Sequence, residues 1–303
     1  MHPIVGIGEL LWDVFPDGRK VAGGAPFNFA FHCKQLGHDA VIVSRVGDDD
    51  LGHGLREEVR RLGLSDEFIQ TDRDHPTGTV RVSVDAAGQP TYTITEDVAW
   101  DWIAFDERLR RLAERCRGVC FGTLAQRAEG SGHMVQEFLQ QHLHRGEWFP
   151  WRVFDVNLRQ SYYTPEAIRA SLARAEWVKV SSEELPTLAE ILGCSMDDPA
   201  GFAKQLVCLT TPEQRCVVWT HGGDGADVFT SGEDIHEPGV PTRVVDTVGA
   251  GDSFTAAMVC LHLEGRPLRE CARFANYYAA RVCEHRGATP KIDRAEVERA
   301  AFG

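Results

Sequence analysis

Three small residues stand directly before an acid where an apolar helix is expected to begin. Gly249, Ala250 and Gly251 precede Asp252, and the stretch DSFTAAMVCLHLEG that follows has a helical pattern closed by a glycine. Backbone N–H groups at a helix start have no partner within the helix, and small side chains let an anion approach them. An acid in this place either caps the helix or accepts a proton from a bound group. Phosphoryl transfer to a hydroxyl requires such a nest of donors beside a carboxylate.

A second group of small and polar residues lies near the N-terminus. Asp13 follows the first apolar run, and Gly23 and Gly24 precede Asn28 at the start of the helical stretch NFAFHCKQLG. Paired glycines let the backbone pass close to a ligand, and an asparagine amide can donate to and accept from vicinal hydroxyls. Taken alone, the same residues are typical of a turn and a helix cap. Their occurrence together with the stretch at 249–252 favours a binding site.

Alternating strand-like and helical segments must position these two groups. The strand-like runs are HPIVGIGELLWDV, DAVIVSRVG, GVCFGT, WRVFDVN, WVKVSS and CVVWTHG, with DEFIQ at 66–70 as a further short strand. This order predicts an α/β fold in which helices flank a mainly parallel sheet. Residues 77–98 break the alternation with two runs of period two around AAGQP, which indicates an inserted antiparallel hairpin. From residue 244 onward the pattern is mostly helical.

Charge and composition exclude several classes of partner. The chain has 32 basic and 45 acidic residues, and its formal net charge of −13 argues against nucleic acids and anionic membranes. No apolar run reaches the length of about 18 residues that a membrane helix needs. We interpret the N-terminus as a strand and not as a signal peptide, and the nine cysteines, which form no C-x-x-C pair, as reduced thiols. Both interpretations predict a cytoplasmic protein.

The stretch from Asp246 to Asp252 resembles the D-T-x-G-A-G-D signature of the ribokinase-like (pfkB-type) family of sugar kinases. The resemblance covers essentially the whole chain, whereas the Walker A pattern of P-loop kinases is absent from it. It implies one kinase domain over 1–303, built as a three-layer sandwich with a small β-sheet lid formed by about 10–22 and 77–98. Relatives are often dimers through this lid, although some are monomers, so the resemblance also implies a homodimer through the lid as a partner arrangement.

The resemblance further implies a role for each matching residue. Asp252 is expected to act as general base, with the backbone of 249–252 as an anion hole, and ATP and Mg²⁺ as cofactors. The expected sugar contacts are Asp13, Gly23, Gly24, Asn28, Asn157 and Arg159, where Asp155 of the same DVNLR stretch either contacts a ligand or supports the loop. The expected nucleotide contacts are Ser181, Thr220, Gly222, Gly225 and Asn276. Glu184 is expected to hold Mg²⁺ through water, and backbone carbonyls of Asp246, Val248, Val282, His285 and Gly287 to hold a monovalent cation such as K⁺.

Two positions depart from the family pattern. Ser181 stands where the family has an asparagine, so a direct nucleotide contact at this position is open to question. His221 stands where the family has an apolar residue, and we assign it no catalytic role.

Three strings narrow the choice of sugar within the family. GELLWDVFP, FGTLAQR and TITEDVAWD look like bacterial fructokinases, which favours attack by the 6-hydroxyl of D-fructose. The polar members of the strings, Glu9, Asp13, Gln126, Arg127 and Asp101, are suited to a hydroxyl-rich ligand, with Trp12 and Trp100 beside them. Kinases of 2-keto-3-deoxygluconate, ribose or a nucleoside are alternatives, as is a sugar-binding protein without activity on the same fold. A dinucleotide-dependent oxidoreductase is disfavoured because Leu11 replaces the third glycine of G-x-G-x-x-G in GIGELL.

Overall fold

Two sheets organise the chain, and the computed structural model describes its residues 2–84, 90–141, 151–208 and 216–303. In chain order the strands are β1 (Ile4–Ile7), β2 (Leu11–Val14), β3 (Lys20–Gly23), β4 (Ala40–Gly47), β5 (Ile69–Asp72), β6 (Thr79–Val84), β7 (Pro90–Ile94), β8 (Gly118–Phe121), β9 (Trp151–Asp155), β10 (Trp177–Ser181), β11 (Cys216–Thr220), β12 (Gly225–Phe229) and β13 (Asp234–Pro238). The helices are α1 (Ala25–Gln35), α2 (Asp50–Arg61), α3 (Glu107–Ala113), α4 (Glu129–Gln141), α5 (Pro165–Arg174), α6 (Leu185–Leu192), α7 (Pro199–Cys208), α8 (Ala250–Leu263), α9 (Leu268–Cys283) and α10 (Arg294–Phe302).

The larger sheet has the strand order β13-β12-β11-β10-β9-β8-β1-β4-β5 within the described residues. The strands from β11 to β5 are parallel to their neighbours, whereas β12 and β13 extend one edge as antiparallel strands. The mainly parallel sheet predicted from the sequence is therefore confirmed. The strand expected over 66–70 lies slightly later, because β5 pairs with β4 from Ile69 to Asp72.

Side chains of the larger sheet alternate between two hydrophobic cores, one on each face. In β1, Ile4 belongs to a core with Phe27 of α1 and Phe254 of α8, whereas Val5 belongs to a core with Phe138 of α4. Parallel strands that are covered by helices on both faces are expected to be apolar along their whole length, and all four residues of β1 are buried. The predicted three-layer arrangement is thus confirmed.

The smaller sheet joins two separate segments of the chain in the order β3-β2-β6-β7. β2 is antiparallel to β3 and parallel to β6, and β6 forms with β7 the antiparallel hairpin that the alternation at 77–98 predicts. The expected contribution of 10–22 is confirmed, although β3 extends one residue further, to Gly23. Residues 86–89 of the expected turn AAGQP lie outside the described residues.

The two helices that carry the sequence motifs start at glycines with positive φ. Gly249 has a φ of 78° and precedes α8, so that Asp252 is the third residue of the helix and makes no capping hydrogen bond. The capping interpretation of Asp252 is therefore wrong. Gly24 has a φ of 118° and precedes α1, which places Asn28 within the first turns of the helix and not at its cap. Glycine adopts such φ values without the steric penalty of a Cβ.

All nine cysteines are free thiols, as expected, and six of them are buried. Across the described ranges, no helix combines the length and the hydropathy that crossing a membrane would require.

Candidate active site

A cavity opens at the carboxyl ends of three neighbouring strands of the larger sheet. Glu9 follows β1, Gly122 follows β8 and Asn157 follows β9, and these residues line the cavity together with Asp252 of α8. Ligands of open α/β sheets bind at this edge. Asn157 has a φ of 44°, a strained conformation for a residue with a side chain and one that often marks a functional site. The fold thus brings together Asn157 and Asp252, which are 95 positions apart in the sequence numbering.

Asn28 orients the carboxylate of Asp252. Its Nδ2 amide donates to Asp252 Oδ2 over 2.8 Å and joins α1 to α8. Within the described residues, Asp252 Oδ1 accepts no side-chain hydrogen bond. Burial raises the pKa of Asp252 to about 6, and the nearby Asp155 acts in the same direction. A carboxylate with this pKa is mostly ionised at neutral pH and is able to accept a proton.

Glu9, one of the polar residues that the sequence indicates as suited to a hydroxyl-rich ligand, is a buried acid that lines the cavity. Its side chain is 3% exposed, and its Oε1 accepts a hydrogen bond from the Ala25 N–H at the start of α1 over 3.1 Å. Burial raises the pKa of Glu9 to about 7, while backbone hydrogen bonds and the charge of Arg159 act in the opposite direction. The sequence signal for such a site is an acid inside an apolar run, here IVGIGELL.

At Gly23 and Gly24 the backbone lies very close to two acidic residues, Asp13 and Glu9. A Cβ on Gly24 would lie 2.2 Å from the carbonyl oxygen of Glu9, and a Cβ on Gly23 would lie 2.8 Å from Asp13 Oδ2. Gly24 must therefore be glycine for steric reasons as well as for its φ. Burial raises the pKa of Asp13 to about 6. The paired glycines thus place Asp13 next to the segment that enters α1, as a sugar-binding role requires.

A buried ion pair lies beside the glycine-rich turn. Lys179 Nζ donates to Asp155 Oδ1 over 3.0 Å, and Thr255 Oγ1 donates to Asp155 Oδ2 over 3.1 Å. Asp155 also lines the cavity, so these two hydrogen bonds fit support of the loop and leave ligand contact open as the alternative. A Cβ on Gly251 would lie 3.2 Å from Lys179 Nζ, so the ammonium group is close to the first turn of α8. Lys179 was not predicted, and its signal is a lysine within the apolar strand WVKVS.

Glu184 joins two loops through its carboxylate. Its Oε1 accepts a hydrogen bond from the Leu158 N–H and its Oε2 one from the Ser181 N–H, both over 2.8 Å. A carboxylate oxygen can accept two hydrogen bonds, so both atoms can still bind water, which fits the expected water-mediated contact with Mg²⁺. Ser181 Oγ accepts from the Glu184 N–H over 3.3 Å and is thereby turned toward α6. Arg159, next to Leu158, is exposed at the rim of this region.

The residues expected to hold the nucleotide meet near β11, β12 and β13. Thr220 ends β11, and the turn that follows contains Gly222 and Gly225 with φ values of 58° and 106°. Asn276 of α9 donates from Nδ2 to two carbonyls at the end of β13, over 3.1 and 3.0 Å. Because both amide hydrogens are used in this way, Oδ1 is the atom of Asn276 that can still bind a ligand.

The two segments expected to hold a monovalent cation lie against each other. The Asp246 side chain accepts hydrogen bonds from the Val248 N–H over 3.1 Å and from the Gly287 N–H over 2.9 Å. The Val282 carbonyl accepts one from the His285 N–H over 3.0 Å and keeps a second lone pair. The residues whose carbonyls were expected to act as ligands therefore lie on two adjacent segments, one before α8 and the other from the last turn of α9 into the loop that follows.

Comparison with known proteins decides the family. Residues 14–295 match the model of the pfkB family of carbohydrate kinases. The chain belongs to this family. A fructokinase of Klebsiella pneumoniae is 29% identical to the kinase over 296 residues, which are 94% of this chain and 92% of that one. An aminoimidazole riboside kinase of Salmonella typhimurium is 27% identical over 285 residues, which are 86% of this chain and 80% of that one.

Solved structures agree with this assignment. A sugar kinase of Pyrococcus horikoshii in complex with ATP aligns with 98% of this chain and 97% of its own, with a TM-score of 0.81 and 27% sequence identity. The ribokinase-like fold and the carbohydrate kinase activity expected from the sequence are confirmed. Because the relatives carry different substrate names, the comparisons leave the sugar open.

The polar residues of the strings FGTLAQR and TITEDVAWD have hydrogen-bond partners within the protein. In the kinase, Gln126 donates to a main-chain carbonyl and to a serine hydroxyl over 2.9 and 3.0 Å. Arg127 donates to Asp101 through Nε and Nη2, each over 2.8 Å, and its guanidinium lies 4.0 Å from the centre of the Trp100 ring. Trp12 donates to a carbonyl of α2 over 2.9 Å. These groups already have partners within the protein, so a contact between them and a sugar hydroxyl stays a prediction without support from their hydrogen bonds.

His221 is held by its neighbours at the nucleotide turn. Its Nδ1 lies 2.9 Å from Ser182 Oγ, and its Nε2 lies 3.0 Å from Asp227 Oδ2. Both ring nitrogens of His221 thus have partners within the protein, and the expectation that His221 has no catalytic role stays a prediction.

Proposed function

We propose that this kinase transfers the γ-phosphate of ATP to the 6-hydroxyl of D-fructose and forms fructose 6-phosphate. The observation that carries the proposal is the hydrogen bond from Asn28 to Asp252, because it fixes a carboxylate in the first turn of a helix, beside the N–H groups of 249–251. The ATP complex of the Pyrococcus sugar kinase supports the phosphate donor, and the Klebsiella fructokinase supports the acceptor.

In the proposed reaction, the sugar hydroxyl oxygen forms a bond to the γ-phosphorus while the bond from this phosphorus to the β,γ-bridging oxygen breaks. ADP leaves with the electron pair of the broken bond, and the hydroxyl proton passes to Asp252, which later releases it to water. The N–H groups of 249–251 lie at the positive end of the α8 dipole and stabilise the charge on the transferred group.

The acids around the cavity favour a neutral, hydroxyl-rich sugar. Carboxylates accept hydrogen bonds from hydroxyls, and Glu9 lines the cavity together with Asn157. Asp13, whose carboxylate lies beside Gly23, is proposed for the same role. Asn28 Oδ1 is buried and has no hydrogen-bond partner in the described part of the chain, so a ligand hydroxyl would satisfy it. The acids would repel the carboxylate of 2-keto-3-deoxygluconate, which counts against this alternative.

The cofactor residues follow from the same proposal. We propose that Mg²⁺ is held by the ATP phosphates and, through water, by Glu184, and that when bound it neutralises charge on the phosphates. The nucleotide contacts are proposed for Ser181, Thr220, Gly222, Gly225 and Asn276. The monovalent cation site is proposed for the carbonyls of Asp246, Val248, Val282, His285 and Gly287.

A coupled assay of ADP release tests the proposal. The acceptor panel contains D-fructose, ribose, 2-keto-3-deoxygluconate, adenosine and aminoimidazole riboside, with Mg²⁺ and with or without K⁺. We expect kcat/KM for fructose to exceed that for every other acceptor by about tenfold or more. A tenfold preference for another acceptor would overturn fructose and leave the kinase intact, whereas no acceptor-dependent ADP release would overturn the catalytic assignment.

A cytoplasmic location and a dimer stay predictions. The nine free thiols suit a reducing compartment.

For the dimer we propose the small sheet as the contact, because Tyr92 of its edge strand β7 is 47% exposed. Sedimentation velocity of the wild type and of Tyr92→Ser tests the contact, and a wild type that sediments as a monomer would exclude it.

A further inference from the structure

Helix α1 carries a buried histidine that the proposed mechanism does not use. His32 has an exposed fraction of 0% and follows Asn28 by one helical turn, with Gln35 a further turn along the same face. Asn28 holds Asp252, so this face of α1 already contacts the proposed catalytic site. A polar side chain at a fully buried position needs hydrogen-bond partners, and those of His32 are informative.

Both ring nitrogens of His32 are paired. Nε2 lies 2.8 Å from the carbonyl oxygen of Ala288, which can only accept, so Nε2 carries the hydrogen. Burial lowers the pKa of His32 to about 4, so the ring is neutral at neutral pH and Nδ1 accepts from the Tyr278 hydroxyl over 3.1 Å. Tyr278 in turn accepts from Gln35 Nε2 over 2.8 Å. The hydrogen bonds therefore run in one direction, from Gln35 through Tyr278 and His32 to Ala288.

Ala288, the last acceptor in this row of hydrogen bonds, lies against the glycine-rich turn that precedes α8. A Cβ placed on Gly249 would lie 2.6 Å from Ala288 Cβ and 2.7 Å from Ala288 Cα, so the two backbones are in direct contact. The preceding Gly287 donates its N–H to Asp246 at the other end of the same turn. Ala288 thus forms one wall of the turn that leads into α8.

We infer that His32 is a positioning residue that fixes the phosphate-binding turn at 249–251 relative to Asp252. Helix α1 contacts Asp252 directly through Asn28 and contacts the turn indirectly through His32 and Ala288. One rigid helix therefore sets the position of both the proposed proton acceptor and the proposed phosphate donors. This inference rests on the proposed function of these residues as a phosphoryl-transfer site.

Replacement of His32 is expected to affect turnover more than sugar binding. In His32→Leu the Ala288 carbonyl and the Tyr278 hydroxyl lose their partner, and the wall of the turn is free to shift. A misplacement of about 1 Å can lower a rate by about 100-fold, so we expect kcat to fall about 10- to 100-fold with the sugar KM within about twofold. His32→Gln should recover most of kcat, because its Nε2 is as many bonds from Cβ as that of histidine and can donate to Ala288.

The matched control is His262→Leu. His262 packs against Trp151 and Trp177, with ring centres at 4.5 and 5.1 Å, and does not line the cavity. It lies near the end of α8, about 15 Å along the helix axis from Asp252. The variant His262→Leu should change the melting temperature without changing kcat, the sugar KM or the ATP KM. Tyr278→Phe removes only the hydrogen bond to Nδ1 and should lower kcat by a smaller factor than His32→Leu.

The inference is overturned if His32→Leu retains kcat within twofold of wild type, or if folded His32→Gln is as slow as His32→Leu. If His32→Leu does not fold, Tyr278→Phe decides, and an unchanged kcat overturns the inference. Nitrogen NMR of the ring gives a readout that does not depend on activity: we expect a neutral ring with the hydrogen on Nε2, and a hydrogen on Nδ1 overturns the inference. If the wild type phosphorylates no acceptor of the panel, the proposed function has failed. The positioning role is then tested independently of activity, by the NMR result and by amide exchange at Ala288 in His32→Leu.

Discussion

Asp252→Asn is expected to abolish most turnover and, unusually for an active-site change, to stabilise the fold. Asparagine is close to aspartate in shape, but it cannot accept the hydroxyl proton. General-base catalysis contributes about 10²–10⁴-fold, so kcat should fall by this factor. The sugar KM should change little, because Asn28 can still pair with the new amide oxygen in place of Asp252 Oδ2.

The gain in stability follows from the raised pKa. Burial and the nearby Asp155 raise the pKa of Asp252 from 3.8 to about 6, and each unit corresponds to about 1.4 kcal/mol. After a discount for partial exposure, the ionised side chain of Asp252 lowers the free energy of unfolding by about 2 kcal/mol at neutral pH. Asp252→Asn removes this destabilisation but also loses the charge-assisted hydrogen bond from Asn28, which offsets about 1 kcal/mol. Asp252→Asn should therefore increase the free energy of unfolding by about 1 kcal/mol near pH 7.

The raised pKa of Asp252 also predicts how stability and turnover change with pH. Because the pKa is raised in the folded state, folded wild type binds this proton more tightly than the unfolded chain, and its stability falls as pH rises from about 4 to about 6. The advantage of Asp252→Asn should thus be present at pH 7.5 and lost at pH 4. Wild-type turnover should fall about tenfold per pH unit below about pH 6, because protonated Asp252 cannot act as a base.

Steady-state kinetics and urea unfolding at these pH values test the prediction, with Asp293→Ala as control. Asp293 does cap its helix, α10, by accepting from the Ala295 N–H over 2.8 Å, so its loss should cost about 0.5–2 kcal/mol while turnover is kept. Turnover of Asp252→Asn within a few-fold of wild type would refute the base assignment. Destabilisation comparable to that of Asp293→Ala would refute the electrostatic reasoning.

Three further predictions concern the ligands. Asp13→Ala should raise the sugar KM about tenfold or more with the ATP KM within twofold, because the sugar loses a buried acceptor, and an unchanged sugar KM would remove Asp13 from the pocket. Asn276→Ala should raise the ATP KM more than the sugar KM, since it removes Oδ1 and loosens the end of β13; equal effects on both would contradict a nucleotide contact. Saturating sugar should slow amide exchange in Thr79–Val84 and Pro90–Ile94 if the small sheet closes as a lid, and identical exchange with and without sugar would exclude closure.

Features that are contiguous in the sequence could be predicted best. Residues 246–252 specify a turn and a helix start within one short stretch, and the alternation at 77–98 identifies a hairpin without reference to the rest of the chain. The boundaries were less certain, because pairing with a neighbouring strand sets them. The bounds of β5, Ile69 to Asp72, are set by its pairing with β4 and not by the local apolar run.

Features that depend on distant partners could not be predicted. Nothing near Lys179 indicates that its partner is Asp155, and the burial of Glu9 follows from the approach of α1. The partners of Gln126 and Arg127 could not be predicted for the same reason, because polar composition shows that a group needs partners but not whether a ligand or the protein supplies them. The structure supplies them from the protein.

The contact between Asn28 and Asp252 spans 224 positions of the chain. During synthesis, the N-terminal half of the pocket therefore emerges long before the acid that it orients, and domains of this size often fold through intermediates. A truncated product that ends before α8 would contain Asp13 and Asn28 but neither the proposed base nor the proposed phosphate-binding turn. We expect that such a fragment does not consume ATP. Sugar phosphorylation by this kinase should accordingly report on completed chains, and its first appearance in a translation reaction should lag behind the synthesis of residue 252 by the time needed to dock α8 on α1.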